Sequence, residues 1–127
     1  MFFILGGDMD GKNLAQMVWL KKEILLEERR IREMEQENGE SVQGGKTADR
    51  RRELIQKRRE RCVAELTALE QYITSIDDSL TRQIFVYRYA YGMNWLEVAG
   101  ALGGGNTADG VKKRCQRWLA AHPETAE

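Results

Sequence analysis

Between residues 106 and 117 the chain carries Asn106, Thr107, Asp109, Lys112, Lys113, Arg114, Gln116 and Arg117. Those side chains hold the groups that read base edges: Lys and Arg donate to guanine, Asn and Gln pair with adenine, and a carboxylate accepts from cytosine. Hydroxyls and cations also reach phosphate oxygens. Just upstream lie Gly103, Gly104 and Gly105, so that "GGGNTA" matches G-x-G-x-x-A, a variant of the dinucleotide fingerprint. That fingerprint needs a strand before it and a βαβ unit around it. Here the preceding segment is capped and periodic as a helix, and nineteen residues after Ala108 are too few for a second strand with its helix. The P-loop pattern fails at these glycines too, because Asn106 follows them rather than Lys and Ser or Thr. What remains is recognition of a nucleic acid by a helix that follows a glycine turn.

A helix-turn-helix supplies such an element: a short helix, a tight turn often holding glycine, and a recognition helix for the major groove. Asn94 and Glu97 have the capping-box spacing, and Trp95, Val98, Ala99 and Leu102 follow at helical intervals over about two turns. Gly103 supplies the turn, and Asn106 or Thr107 caps the next helix. Val111, Cys115, Trp118 and Leu119 form its buried stripe. Asn106, Asp109, Lys113, Gln116 and Arg117 then face away, with Lys112 and Arg114 flanking them in reach of phosphates. Ahead of this pair, Asp77 or Asp78 caps a helix with the stripe Leu80, Ile84, Tyr87 and Tyr91, ended by Gly92. Trp95 and Trp118 are assigned to the core of this unit. His122, just past the last helix, is placed to interact with its dipole, and Pro123 closes the unit.

The first half of the chain must be an extended support. Residues 12 to 38 read as one amphipathic helix about 40 Å long. Its seam is Met17, Leu20, Ile24, Ile31 and Met34, with Glu27 as a polar intruder. Asn38 and Gly39 are helix-stop residues, and Gly39, Gly44 and Gly45 punctuate a polar break. Thr47 is the expected N-cap of a second long helix over 48 to 76, with the seam Ile55, Arg59, Cys62, Leu66, Leu69, Ile73 and Ile76. Two helices of similar length joined by a short loop predict an antiparallel hairpin, thin enough to favour self-association. The expected architecture is all-α: a leader over 1–11, a helical hairpin over 12–76 with its loop near 39–47, a compact helix-turn-helix domain over 77–122, and a tail over 123–127.

Charge fits that organisation. The 127 residues carry 20 basic and 20 acidic side chains, but the zero sum hides segregation. Residues 8 to 40 hold nine acids against six bases, and residues 45 to 62 hold eight bases against three acids. Residues 106 to 119 carry four bases against one acid. Local patches, not the total, decide affinity for nucleic acid. The Arg50 to Arg61 cluster is a candidate second phosphate-binding surface, although ion pairs to the acidic first helix plus solvation are its simpler reading.

The same residues exclude other classes. One histidine, His122, cannot build a metal site alone or serve a Ser/His or Cys/His arrangement. No acid pair sits in a context that tunes a pKa for catalysis, so neither an enzyme nor a cofactor is expected. Cys62 and Cys115 show no pairing pattern and read as buried free thiols of a cytoplasmic protein. The apolar run in "MFFILGGDMD" is too short for a signal peptide or a membrane span. "GGDM" is also what a ribosome-binding sequence before an ATG encodes in frame, which predicts that translation starts at Met9.

The segment "DDSLTRQIFVYRYAYGMNWLEVAGALGGGNTADGVKKRCQRWL" resembles region 4 of sigma-70-type RNA polymerase sigma factors. It is closer still to the sigma-like helix-turn-helix regulators of phages and integrated elements of Gram-positive bacteria. The resemblance rests on Arg82, Arg88-Tyr89, Gly92, Trp95 with Glu97-Val98-Ala99, and Gly103 to Thr107 with Val111, and covers about a third of the chain. It implies a regulator that binds promoter DNA, with RNA polymerase as a second candidate partner. Residues 12 to 76 contain only Trp19 and Tyr72 as aromatics, so the aromatic-rich helix that melts DNA in a complete sigma factor is missing from that stretch. Two other classes fit the same pattern: a small-terminase-like DNA-packaging protein, and an interaction coiled coil without specific DNA binding.

Overall fold

The computed structural model describes residues 10–40 and 45–123, with only the backbone of 38–40 described. The expected start at Met9 and most of the tail lie outside the described residues. The fold is all-helical: α1 (Gly11–Glu40), α2 (Gly45–Thr74), α3 (Ser79–Phe85), a π turn (Val86–Ala90), α4 (Trp95–Leu102) and α5 (Ala108–Ala121). No described helix is long and apolar enough to cross a membrane.

The chain divides into two compact units, Trp19–Leu66 and Met1–Val18 with Thr67–Glu127. The division therefore falls within α1 and α2, not at the expected boundary between 76 and 77. The apolar residues explain the shift: Leu14 and Met17 of α1, and Leu69, Tyr72 and Ile73 of α2, belong to the same buried set as the residues of α3 to α5.

In the Trp19–Leu66 unit the expected seam is present. Leu20, Glu27 and Met34 of α1 and Ile55 and Cys62 of α2 are buried, while Ile24, Ile31, Arg59 and Leu66 are half-buried. Arg59 holds Glu28 at 2.8 Å, and Glu23 acts on Cys62. Each step back along α1 is matched by a step forward along α2, the mark of an antiparallel pair. The polar intruder Glu27 is buried against Arg30 at 3.0 Å, which satisfies its charge within its own helix. Burial first, and the nearby Glu23 carboxylate next, push the Cys62 thiol up to about 11, so it is an unreactive core thiol.

α1 outruns its expected end, and α2 starts earlier than expected and stops earlier. Asn38 and Gly39 do not stop α1, which runs to Glu40. Their poor propensities together cost about 1.5 kcal/mol, which a 30-residue helix can carry. Thr47 does not cap α2; the helix begins at Gly45, whose φ of +53° suits glycine, and Thr47 sits in its first turn. At its other end α2 stops at Thr74, and Ile76 is buried from the following turn.

The other unit is built around Phe85. Its ring lies 6.4 Å from that of Tyr72 and 5.6 Å from that of Tyr89, both tilted. The expected stripe Leu80, Ile84, Tyr87 and Tyr91 is corrected: the buried set is Thr81, Ile84, Phe85 and Tyr89, and Tyr91 is 64% exposed. The π turn explains the exposure of Tyr91. Tyr91 N–H donates to Val86 O at 3.0 Å, so an extra residue enters that turn and rotates the later side chains out of register with an α-helical stripe. Tyr89 faces inward, its hydroxyl 3.5 Å from the Cys115 sulfur, and burial raises the pKa of both groups. Both cysteines are free and buried, as the sequence suggested.

A candidate nucleic-acid interface

The α4–turn–α5 segment is set by two caps and a turn. Asn94 Oδ1 accepts from Glu97 N–H at 2.8 Å and Glu97 Oε1 from Asn94 N–H at 2.9 Å, the reciprocal capping box the spacing predicted. α4 ends at Leu102. Gly103, Gly104 and Gly105 then take φ of 67°, 62° and 82°, all left-handed. A single turn glycine was expected; three are required because every one of these positions is costly for a residue with a Cβ. Asn106 closes the turn, its backbone N–H and its side-chain amide both donating to Gly103 O. Thr107 caps α5, its hydroxyl accepting from Gly110 N–H at 3.0 Å.

Val111 and Cys115 bury the inner face of α5, whereas Trp118 and Leu119 are only half-buried. Trp118 is covered by the His122 ring, stacked at 3.7 Å. His122 serves the helix C-terminus as expected: its backbone N–H donates to Trp118 O, its ring Nδ1 lies 3.1 Å from the same oxygen, and its own carbonyl accepts from Tyr72 Oη at 2.9 Å. Trp95 is likewise half-buried rather than core; the Arg88 guanidinium lies 4.5 Å over its ring and donates to Met93 O, holding the link into α4.

Arg114 aside, the candidate base- and phosphate-contacting residues separate into three groups. Lys112, Gln116 and Arg117 are exposed and make no hydrogen bond or ion pair among the described residues. Lys113 and Asp109 are exposed but paired at 2.9 Å, one helical turn apart. Such an exposed pair is worth about 0.5 kcal/mol at most, so Lys113 is readily drawn to a phosphate. Asn106 and Thr107 are exposed and committed to the turn and the cap.

Arg114 stands apart. It was expected to flank the face in reach of phosphates, but its Nε donates to Thr81 Oγ1 at 3.0 Å and its Nη2 to Asp78 Oδ2 at 2.8 Å. Asp78 is the N-cap of α3, so this arginine ties α5 to the start of α3. The Thr81 hydroxyl, the Arg114 guanidinium and the Thr81 amide together hold the Asp78 carboxyl well below the usual carboxylate range. Sequence periodicity could not find this clamp, because its three residues are 33 and 36 positions apart across the two helices.

Gly45-Lys46-Thr47 carries the last three residues of a P-loop, a match the sequence reading passed over. Glu40 stands where that motif requires its first glycine, and the residues before it are α1 rather than a strand. The segment is the start of α2. Among the described residues no cluster of His, Cys, Asp and Glu is arranged to hold a metal ion. No family model, no curated protein and no solved structure matches the chain.

Proposed function

We propose that the protein is a sequence-specific, double-stranded-DNA-binding regulator of phage or mobile-element genes, with α5 as its recognition helix in the major groove. The observation that carries this reading is the outer face of α5: Lys112, Gln116 and Arg117 exposed and unpaired, with Lys113 beside them, on a helix whose other face is fixed by Val111, Cys115 and the Arg114 clamp. A rigid helix with free amide, ammonium and guanidinium groups on one face is what base readout requires. The glycine turn and capped two-turn helix ahead of it support the same reading, as does the resemblance of this segment to sigma region 4.

RNA polymerase is a second proposed partner, resting on that resemblance. Self-association through the hairpin is a further proposal, supported by Trp19, Leu25 and Leu26, which expose apolar surface on α1. The DNA-binding reading is tested by selecting bound duplexes from a random-sequence pool with the purified protein. A reproducible enriched motif supports it; an unenriched pool overturns it.

A further inference from the structure

The basic half of α2 is left largely unused by the hairpin. Residues 46 to 61 carry eight cations. Arg59 pairs with Glu28 across the hairpin, Lys57 pairs with Glu53 within α2, and Arg52 is half-buried. Lys46, Arg50, Arg51, Arg58 and Arg61 are all exposed and form no ion pair or hydrogen bond among the described residues. Of the simpler reading, ion pairs to the acidic first helix plus solvation, the described residues show one such ion pair, at Arg59, and leave these five cations to solvent.

Their positions are ordered. Lys46, Arg50, Lys57 and Arg61 recur at intervals of four and seven, with Arg51 and Arg58 beside them at an interval of seven. These intervals place all six on one side of the helix. Asp49, Glu53 and Glu60 recur at the same intervals on a separate stripe, and Ile55, Arg59 and Cys62 form the seam. α2 thus has three longitudinal faces: apolar, acidic and basic. A solvated helix with mixed signs needs no such segregation. The Glu65 carboxylate offsets Arg58 and Arg61 in part; the mutual repulsion left among these cations costs stability, which a polyanion would relieve.

We infer that this stripe is a second DNA-contacting surface that takes the phosphate backbone of a duplex without regard to sequence. The inference rests on reading the chain as a DNA binder. At about 1.5 Å per residue the stripe is about 22 Å long. A duplex of that length carries on the order of a dozen phosphate charges. Four of its six cations are arginines, whose planar fork suits phosphate oxygens. A membrane surface fits less well, because Leu54 is the one large apolar side chain exposed on this half of α2 and a helix lying in a bilayer interface needs a full apolar face.

The test compares the full-length protein with the variant Arg50→Gln, Arg51→Gln, Arg58→Gln, Arg61→Gln, and separately with Lys112→Ala, Arg117→Ala. Binding to a duplex of arbitrary sequence is followed by fluorescence anisotropy from low to moderate salt, with far-UV circular dichroism confirming that helicity is kept. The stripe variant is expected to lose at least tenfold in affinity at low salt. Its slope of log affinity against log salt should fall by about one for each phosphate contact removed. Any motif enriched by the wild type should stay the same motif in the stripe variant. Unchanged affinity and slope overturn the inference, as does a variant that keeps DNA binding but loses binding to phosphatidylserine vesicles or to a polyglutamate peptide. If the chain binds duplexes with no sequence preference, the stripe variant still loses affinity, so failure of base readout by α5 is distinguished from failure of the stripe.

Discussion

The hairpin unit and the compact unit contain similar helices, yet they are held by different means. Among the described residues, Trp19–Leu66 buries five side chains, and the other unit buries fourteen, Phe85, Leu14 and Ile84 among them with no exposure at all. The hairpin relies on one repeating seam and a cross-helix ion pair. The compact unit adds two reciprocal or charged caps, four left-handed glycines, a π turn and the Arg114 clamp. Repetition makes a long surface cheaply; irregular features fix one helix in one orientation, as the proposed base readout requires.

The largest effect is expected at Phe85. Phe85→Ala should cost about 3–5 kcal/mol, enough to unfold the compact unit, seen as loss of its thermal transition. Met34→Ala in the hairpin should cost nearer 2 kcal/mol, because a thin seam collapses around the lost side chain more easily. Equal costs at the two sites would erase the distinction.

Smaller effects sharpen it at the turn. A Cβ on Gly104 meets open space, so Gly104→Ala is penalised only by its left-handed backbone, about 1–2 kcal/mol. Gly100 also has open space but lies within α4, so Gly100→Ala should stabilise by up to about 1 kcal/mol. Chemical denaturation of the two variants should therefore give shifts of opposite sign.

The smallest expected effect is a pH dependence. Asp78 is held below the usual carboxylate range in the fold, while an unfolded aspartate titrates near about 3.9. The folded chain thus binds fewer protons at this group. Its contribution is present above that unfolded value and is lost as pH falls through the folded one. Asp78→Asn keeps an N-cap of similar quality but does not titrate. The variant should have a lower melting temperature at neutral pH and a flatter decline below pH about 4; parallel declines would remove Asp78 from the account.

How much of this was legible in the sequence follows the same division. The seam residues Leu20, Met34, Ile55 and Cys62 declare themselves by spacing, as do the Asn94–Glu97 box and the Thr107 cap, because each is a local pattern within one or two turns. Phe85 was hidden because its buried neighbour Thr81 is polar and leaves no apolar stripe to read, and the exposure of Tyr91 was hidden because the π turn changes the period after Val86. The inward course of Arg114 was hidden because it depends on Asp78 and Thr81, residues on another helix. The exposed face of Lys112, Gln116 and Arg117 was legible as a helical wheel once Val111 and Cys115 were assigned to the core.

The role proposed for α5 is base readout. Its most direct test is the random-pool duplex selection run in parallel with the wild type and with Lys112→Ala, Gln116→Ala, Arg117→Ala, at a salt concentration where the wild type binds. The account predicts a single enriched motif for the wild type, and loss of that motif in the variant with far-UV helicity and melting temperature kept. The same motif enriched equally by both proteins, or none enriched by the wild type, would contradict it.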